Sequence, residues 1–175
     1  MRLHQVNLGY DAQQDRLLLR ISTTAQTEYR MWLTRRIVKG MWPGLVQLMQ
    51  STPLARQQTE PTAKQAVVEF EREKALRETK FAERYDGEEL APALPGEPLL
   101  VWGVRMRPVD EGGCDLEFLP KDGQGVKVRL QETMLHALTK LFQDALKATD
   151  WDITLVVPNA SPTIPEAGGG ERKLN

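Results

Sequence analysis

Catalytic and metal-binding signatures are what this sequence most plainly lacks, and its other deficits narrow the reading further. A single cysteine, Cys114, leaves no internal disulfide to form and fits a reducing compartment. The two histidines, His4 and His136, lie far apart, and neither is read as standing at ligand spacing from a second histidine, a cysteine or a carboxylate. Neither metal nor cofactor is therefore expected. Nowhere do 18 apolar residues run together, which argues against a membrane-spanning helix. The opening MRLHQVNLGY lacks the continuous apolar segment of a signal peptide, so the expected place is the cytoplasm. An excess of one charge is missing too. At a net charge of −1, no global field draws the protein onto nucleic acid or anionic lipid, and such binding would need a local patch.

The glycine-containing stretches are equally plain. Gly123-Gln124-Gly125 lacks the following helix and the Lys-Ser/Thr of a phosphate loop. Asp110-Glu111-Gly112-Gly113 sets two acids beside two glycines, as a turn does. Cys114 alternates with Leu116 and Phe118 on an inward strand face, which predicts a buried thiol and not a nucleophile. The chain is not expected to be an enzyme.

What is present is pattern. A hydrophobic fraction of 41% with 27% charged residues suits one medium domain, or two half-domains sharing a core. Alternation of period two predicts strands over 3–10, 16–23 and 28–34, with Leu17, Leu19, Ile21, Tyr29, Met31 and Leu33 inward. The period then changes. Ile37, Met41, Leu45, Leu48 and Met49 fall on one helical stripe behind Thr34 as N-cap. Gly40 and Pro43 are costly in a helix and predict a kink, or a helix restarting at Pro43. Residues 50–61 read as a mobile linker, and Pro61 opens a charged, half-exposed helix reaching about residue 85, with pairs such as Glu73–Arg77, before Asp86-Gly87 ends it. After a proline-rich crossing at 90–98, strands are predicted over 99–107, 114–119 and 126–131, then a helix from about 132 and a last strand over 151–157. The tail from 158 is expected to be disordered.

The stretch 29–50 and the stretch 126–147 share this strand-into-helix pattern at an offset of 97. Leu19 then meets Leu116, Ile21 meets Phe118, Leu33 meets Leu130 and Met41 meets Leu138, while the first strands align better at 98. The fold predicted is α+β: two pseudo-repeated antiparallel β-β-β-α units, 1–50 and 99–157, joined by a linker and charged helix over 51–98, with 158–175 as tail.

Function is read from one surface. The outward face of the first unit carries Arg16, Arg20, Arg30 and Trp32, followed by Arg35 and Arg36, and only Glu28 opposes them within those strands. Arginines on a pleated face can track a phosphate backbone, and an aromatic among them can stack a base. The second unit mixes Arg105, Arg107, Lys127 and Arg129 with Asp115 and Glu117, which reads as cross-strand pairing on a solvated face. Two partners fit the first face. One is single-stranded DNA or RNA. The other is protein, with Leu18 and Trp32 anchoring a homodimer or adaptor contact there, or the 61–85 helix doing so. The doubled sheet-then-helix arrangement over 3–49 and 99–146 resembles the PUR and whirly single-strand-binding families, and that resemblance implies nucleic acid held on a sheet face.

Overall fold

The protein, described here by a computed structural model at residues 3–79, 85 and 90–157, is α+β. Three strands, β1 (Leu3–Asp11), β2 (Arg16–Thr23) and β3 (Thr27–Leu33), form an antiparallel meander that runs into α1 (Arg35–Met49). Two further helices follow, α2 (Pro53–Arg56) and α3 (Pro61–Glu78). Short strands β4 (Ala91–Pro92) and β5 (Leu99–Leu100) then lie parallel along β3. A second meander of β6 (Gly103–Pro108), β7 (Cys114–Leu119) and β8 (Val126–Leu130) leads into α4 (Glu132–Leu146).

The repeat extends to hydrogen-bond register. Leu17 faces Leu33, Leu19 faces Met31 and Ile21 faces Tyr29; at the offset of 97, Cys114 faces Leu130, Leu116 faces Val128 and Phe118 faces Val126. The first strands correspond at 98, since Leu8 faces Leu19 as Met106 faces Leu116. The second unit is therefore one residue shorter across its first hairpin, with 10 positions from Met106 to Leu116 against 11 from Leu8 to Leu19. Even the helix bounds repeat, Arg35–Met49 against Glu132–Leu146. Each helix also crosses to the other unit: α1 packs on β6, and α4 packs on β1 as well as on its own β8. Buried side chains of both sheets and both helices therefore make one core. A sheet with one apolar face needs a cover, and here each unit supplies the other's.

Several expectations are corrected. The helix α1 does not restart at Pro43 but runs through it. Proline removes the hydrogen bond to the carbonyl of Lys39, and Lys39 and Gly40 are exposed, so water can reach that oxygen. The linker 50–61 is not free chain: Thr52 caps α2, and Ala55 is fully buried. The charged helix ends at Glu78, and its hidden face carries Glu71 and Arg72 beside Val68 and Ala75. Stretch 151–157 alternates as a strand would but pairs with no strand among the described residues. Its carbonyls accept instead from side chains, Val156 from Trp42 Nε1 (2.9 Å) and Leu155 from Gln143 Nε2 (2.9 Å). The strand expected over 99–107 is two strands. Val101 N donates to Trp32 O (3.0 Å) and Trp102 N to Leu119 O (2.7 Å), so the chain changes sheets between these two residues. Asp86-Gly87 and the tail 158–175 lie outside the described residues, among which no helix is long and apolar enough to cross a membrane.

Candidate nucleic-acid interface

On the outer face of the first sheet, register sets Leu18 opposite Trp32, Arg20 opposite Arg30 and Ser22 opposite Glu28. Two arginines directly across from one another repel unless an anion intervenes. Glu28 is that anion. Only 6% exposed, it accepts from Arg20 Nε at 2.8 Å and lies 3.9 Å from Arg30 Nε. Tyr85, from the connection after α3, donates its hydroxyl to the same carboxylate at 2.8 Å, and its ring centroid lies 4.6 Å from the Arg20 guanidinium. Burial, and then the bond to Glu28, push the Tyr85 phenol well above its ordinary range. Arg30 also donates to Gly96 O at 3.3 Å. At this end the cationic face is a clasp for the chain's own connection.

The other end is open. Arg16 faces Asp11 at the mouth of the hairpin. Arg35 is exposed at the start of α1, near the Asp15 carboxylate; that acid is held below its usual range by hydrogen bonds from Trp151 and Tyr10, and further by the Arg35 charge. The Arg36 guanidinium lies 4.9 Å from the ring centroid of Trp102 and donates to the Trp102 carbonyl at 3.5 Å. Trp102 is 53% exposed, Leu100 is exposed opposite the half-buried Trp32, and Leu18 flanks Trp32 on the other side. The structure thus joins Trp32 and Arg36 to two residues that sequence reasoning missed, Leu100 and Trp102. It gathers Arg20 and Arg30 around Glu28 and leaves Arg16 and Arg35 at the periphery. Regular alternation over the strand expected at 99–107 would put Trp102 on the face of Val104 and Met106. A signal existed: Val101 and Val104, both apolar and three apart, cannot both point inward from one regular strand.

The second sheet's outer face is paired as expected. Arg105 meets Glu117 at 3.2 Å, while Lys127 and Arg129 meet Asp115 at 3.3 and 2.7 Å. The Arg129 guanidinium, helped by Lys127, holds the Asp115 carboxyl down at about 2. A depressed acid contributes stability that is present above its unfolded value near 3.8 and lost as pH falls through about 2. Because both cations are largely exposed, the contribution should be about 1 kcal/mol or less. Urea titrations of wild type and Asp115→Asn should therefore differ at neutral pH and converge towards pH 2.

Cys114 is fully buried and burial pushes its thiol up to about 12, while His4 is exposed. His136 requires correction. It lies one turn after Glu132 on α4, a spacing overlooked in the sequence, and its ring approaches Glu132 and Glu71. Comparison of the chain with protein-family models, with curated proteins and with solved structures finds no match.

Proposed function

We propose that the chain is a non-enzymatic binding protein that holds single-stranded nucleic acid on the open end of this face, through Trp32, Arg36 and Trp102 with Arg16 and Arg35 around them. The observation that carries the reading is the exposed Trp102 ring with the Arg36 guanidinium against it, where the chain passes from one sheet to the other. An aromatic face beside a cation accepts a base without regard to its identity, and neighbouring arginines take the phosphates. The doubled β-β-β-α arrangement, similar to that of the PUR and whirly families, supports the same reading.

The test is fluorescence anisotropy with a short labelled single strand. Affinity should fall by at least about tenfold between roughly 50 and 200 mM salt, as expected when several phosphates are neutralised. Arg35→Glu with Arg36→Glu should weaken binding by a similar factor, and Trp102→Ala should weaken it nearly independently of salt. Arg20→Glu should lower stability, because it sets a second acid against Glu28. Unchanged affinity in the Arg35/Arg36 double variant would overturn this site. A second reading has its own observation: Leu100 and Trp102 are exposed apolar side chains two residues apart, as at a protein contact. Such a contact would tolerate salt and bind no oligonucleotide.

A further inference from the structure

We propose that Glu71, Glu132 and His136 form a site for one divalent first-row transition cation, in the cavity between α3 and α4. One potential ligand atom from each residue lies within 4.8 Å of the others. Metal–nitrogen and metal–oxygen bonds of ~2.0–2.2 Å hold ligand atoms at most about 4.3 Å apart, so small side-chain rotations close the set.

The observation that points to a ligand is the imidazole. His136 has no exposed surface, and among the described residues neither ring nitrogen finds a hydrogen-bond partner. A neutral imidazole carries one donor and one acceptor, and native proteins seldom bury both unmade. This ring nevertheless lies beside two carboxylates. Glu71 is itself buried, and the Thr52 hydroxyl is its hydrogen-bond donor, at 2.9 and 3.2 Å to its two oxygens. Burial, together with neighbouring Glu132, pushes the Glu71 carboxyl up to about 7. An unpartnered imidazole and two carboxylates thus converge, and together they carry up to two negative charges.

The surroundings suit an incoming cation. Arg72 of α3 does not line the cavity but donates to Thr139 Oγ1 at 2.9 Å and Gln143 Oε1 at 2.6 Å. Lys74 and Glu78 line the same cavity with opposite charges. Its volume is about 300 Å³, and the exposed side chains of Leu54 and Phe70 stand among its walls, giving a path from solvent. One imidazole nitrogen with two carboxylate oxygens suits Zn²⁺, Mn²⁺, Fe²⁺ or Co²⁺, whereas Mg²⁺ favours oxygen alone and keeps its water. Because Thr52 caps α2 and also bonds Glu71, a bound ion would tie α2, α3 and α4 together.

The experiment uses the full chain stripped with chelator and titrated with Co²⁺, read by visible d–d absorption, with Tm measured in Zn²⁺ and in Mg²⁺. One equivalent of Co²⁺ should bind, Zn²⁺ should displace it and raise Tm, and Mg²⁺ should do neither. Glu132→Gln should weaken Co²⁺ binding at least about tenfold with unchanged far-UV circular dichroism. His4→Ala should leave it unaltered. If His136→Ala fails to fold, Glu132→Gln, on a partly exposed residue, still decides. No cobalt spectrum in wild type, or an equal one in Glu132→Gln, would overturn the proposal.

Discussion

Alanine at position 113 is expected to cost at least ~3 kcal/mol, and to leave little folded protein if wild type sits at the low end of ordinary stability. Gly113 closes the β6–β7 hairpin at φ +84°, a region that L-residues enter only with strain. Space is the larger difficulty. A Cβ there would stand 2.1 Å from the carbonyl oxygen of Leu130 and 3.0 Å from Cα of Gln131. Both are backbone, at the point where β8 hands over to α4, so no side-chain rotation relieves the clash. Either the hairpin lifts from β8, breaking the pairing of Cys114 with Leu130, or α4 shifts on β1. Gly123→Ala is the internal control: φ is +96°, but nothing lies within 4 Å of its Cβ, so only the conformational cost of about 1–2 kcal/mol remains. Urea denaturation of both variants separates strain from collision. Equal losses at the two positions would mean that the close approach at Leu130 carries no weight.

The hairpins were legible because their inner positions are large and apolar at every second residue, from Leu17, Leu19 and Ile21 to Cys114, Leu116 and Phe118. A slip of one residue would turn each of these sets to solvent, so pattern and register are nearly the same information. Where burial is polar, pattern says little. Glu71 and Arg72 sit on a helix whose apolar residues make no clean stripe, and their burial becomes evident only when α4 brings Glu132, Thr139 and Gln143 to meet them. Glu28 stood out in sequence as the one acid among arginines, but its role depends on Tyr85, 57 residues later. Alternation alone misled at 151–157, because a segment lying across helices can also hide every second side chain. In the candidate interface, Arg36 and Trp32 could be named from their strand and helix positions. Trp102 could not, since it turns outward where the chain leaves one sheet for the other.

Leu19→Ala and Leu116→Ala, at equivalent positions of the two units, should each cost ~2–5 kcal/mol and should lower one and the same transition. Both side chains are buried, each at the centre of its meander, opposite Met31 and Val128. Two stacked but independent units would lose only the half that was altered, and unfolding would split into two steps. The exchange of helices forbids this. Removing packing under the first sheet loosens β1, which carries α4, and α4 belongs to the second unit; removing it under the second loosens β6, which carries α1. Two buried tryptophans report on these junctions, Trp42 through its bond to Val156 and Trp151 through its bond to Asp15. Fluorescence and far-UV circular dichroism should therefore fall together in wild type and in both variants. For a chain of this length the midpoint should move by about 2–4 °C for each kcal/mol lost. A variant whose fluorescence changes ahead of its helical signal would show that each unit keeps a core of its own. Coincident curves would mean that neither sheet stays folded without the helix the other provides.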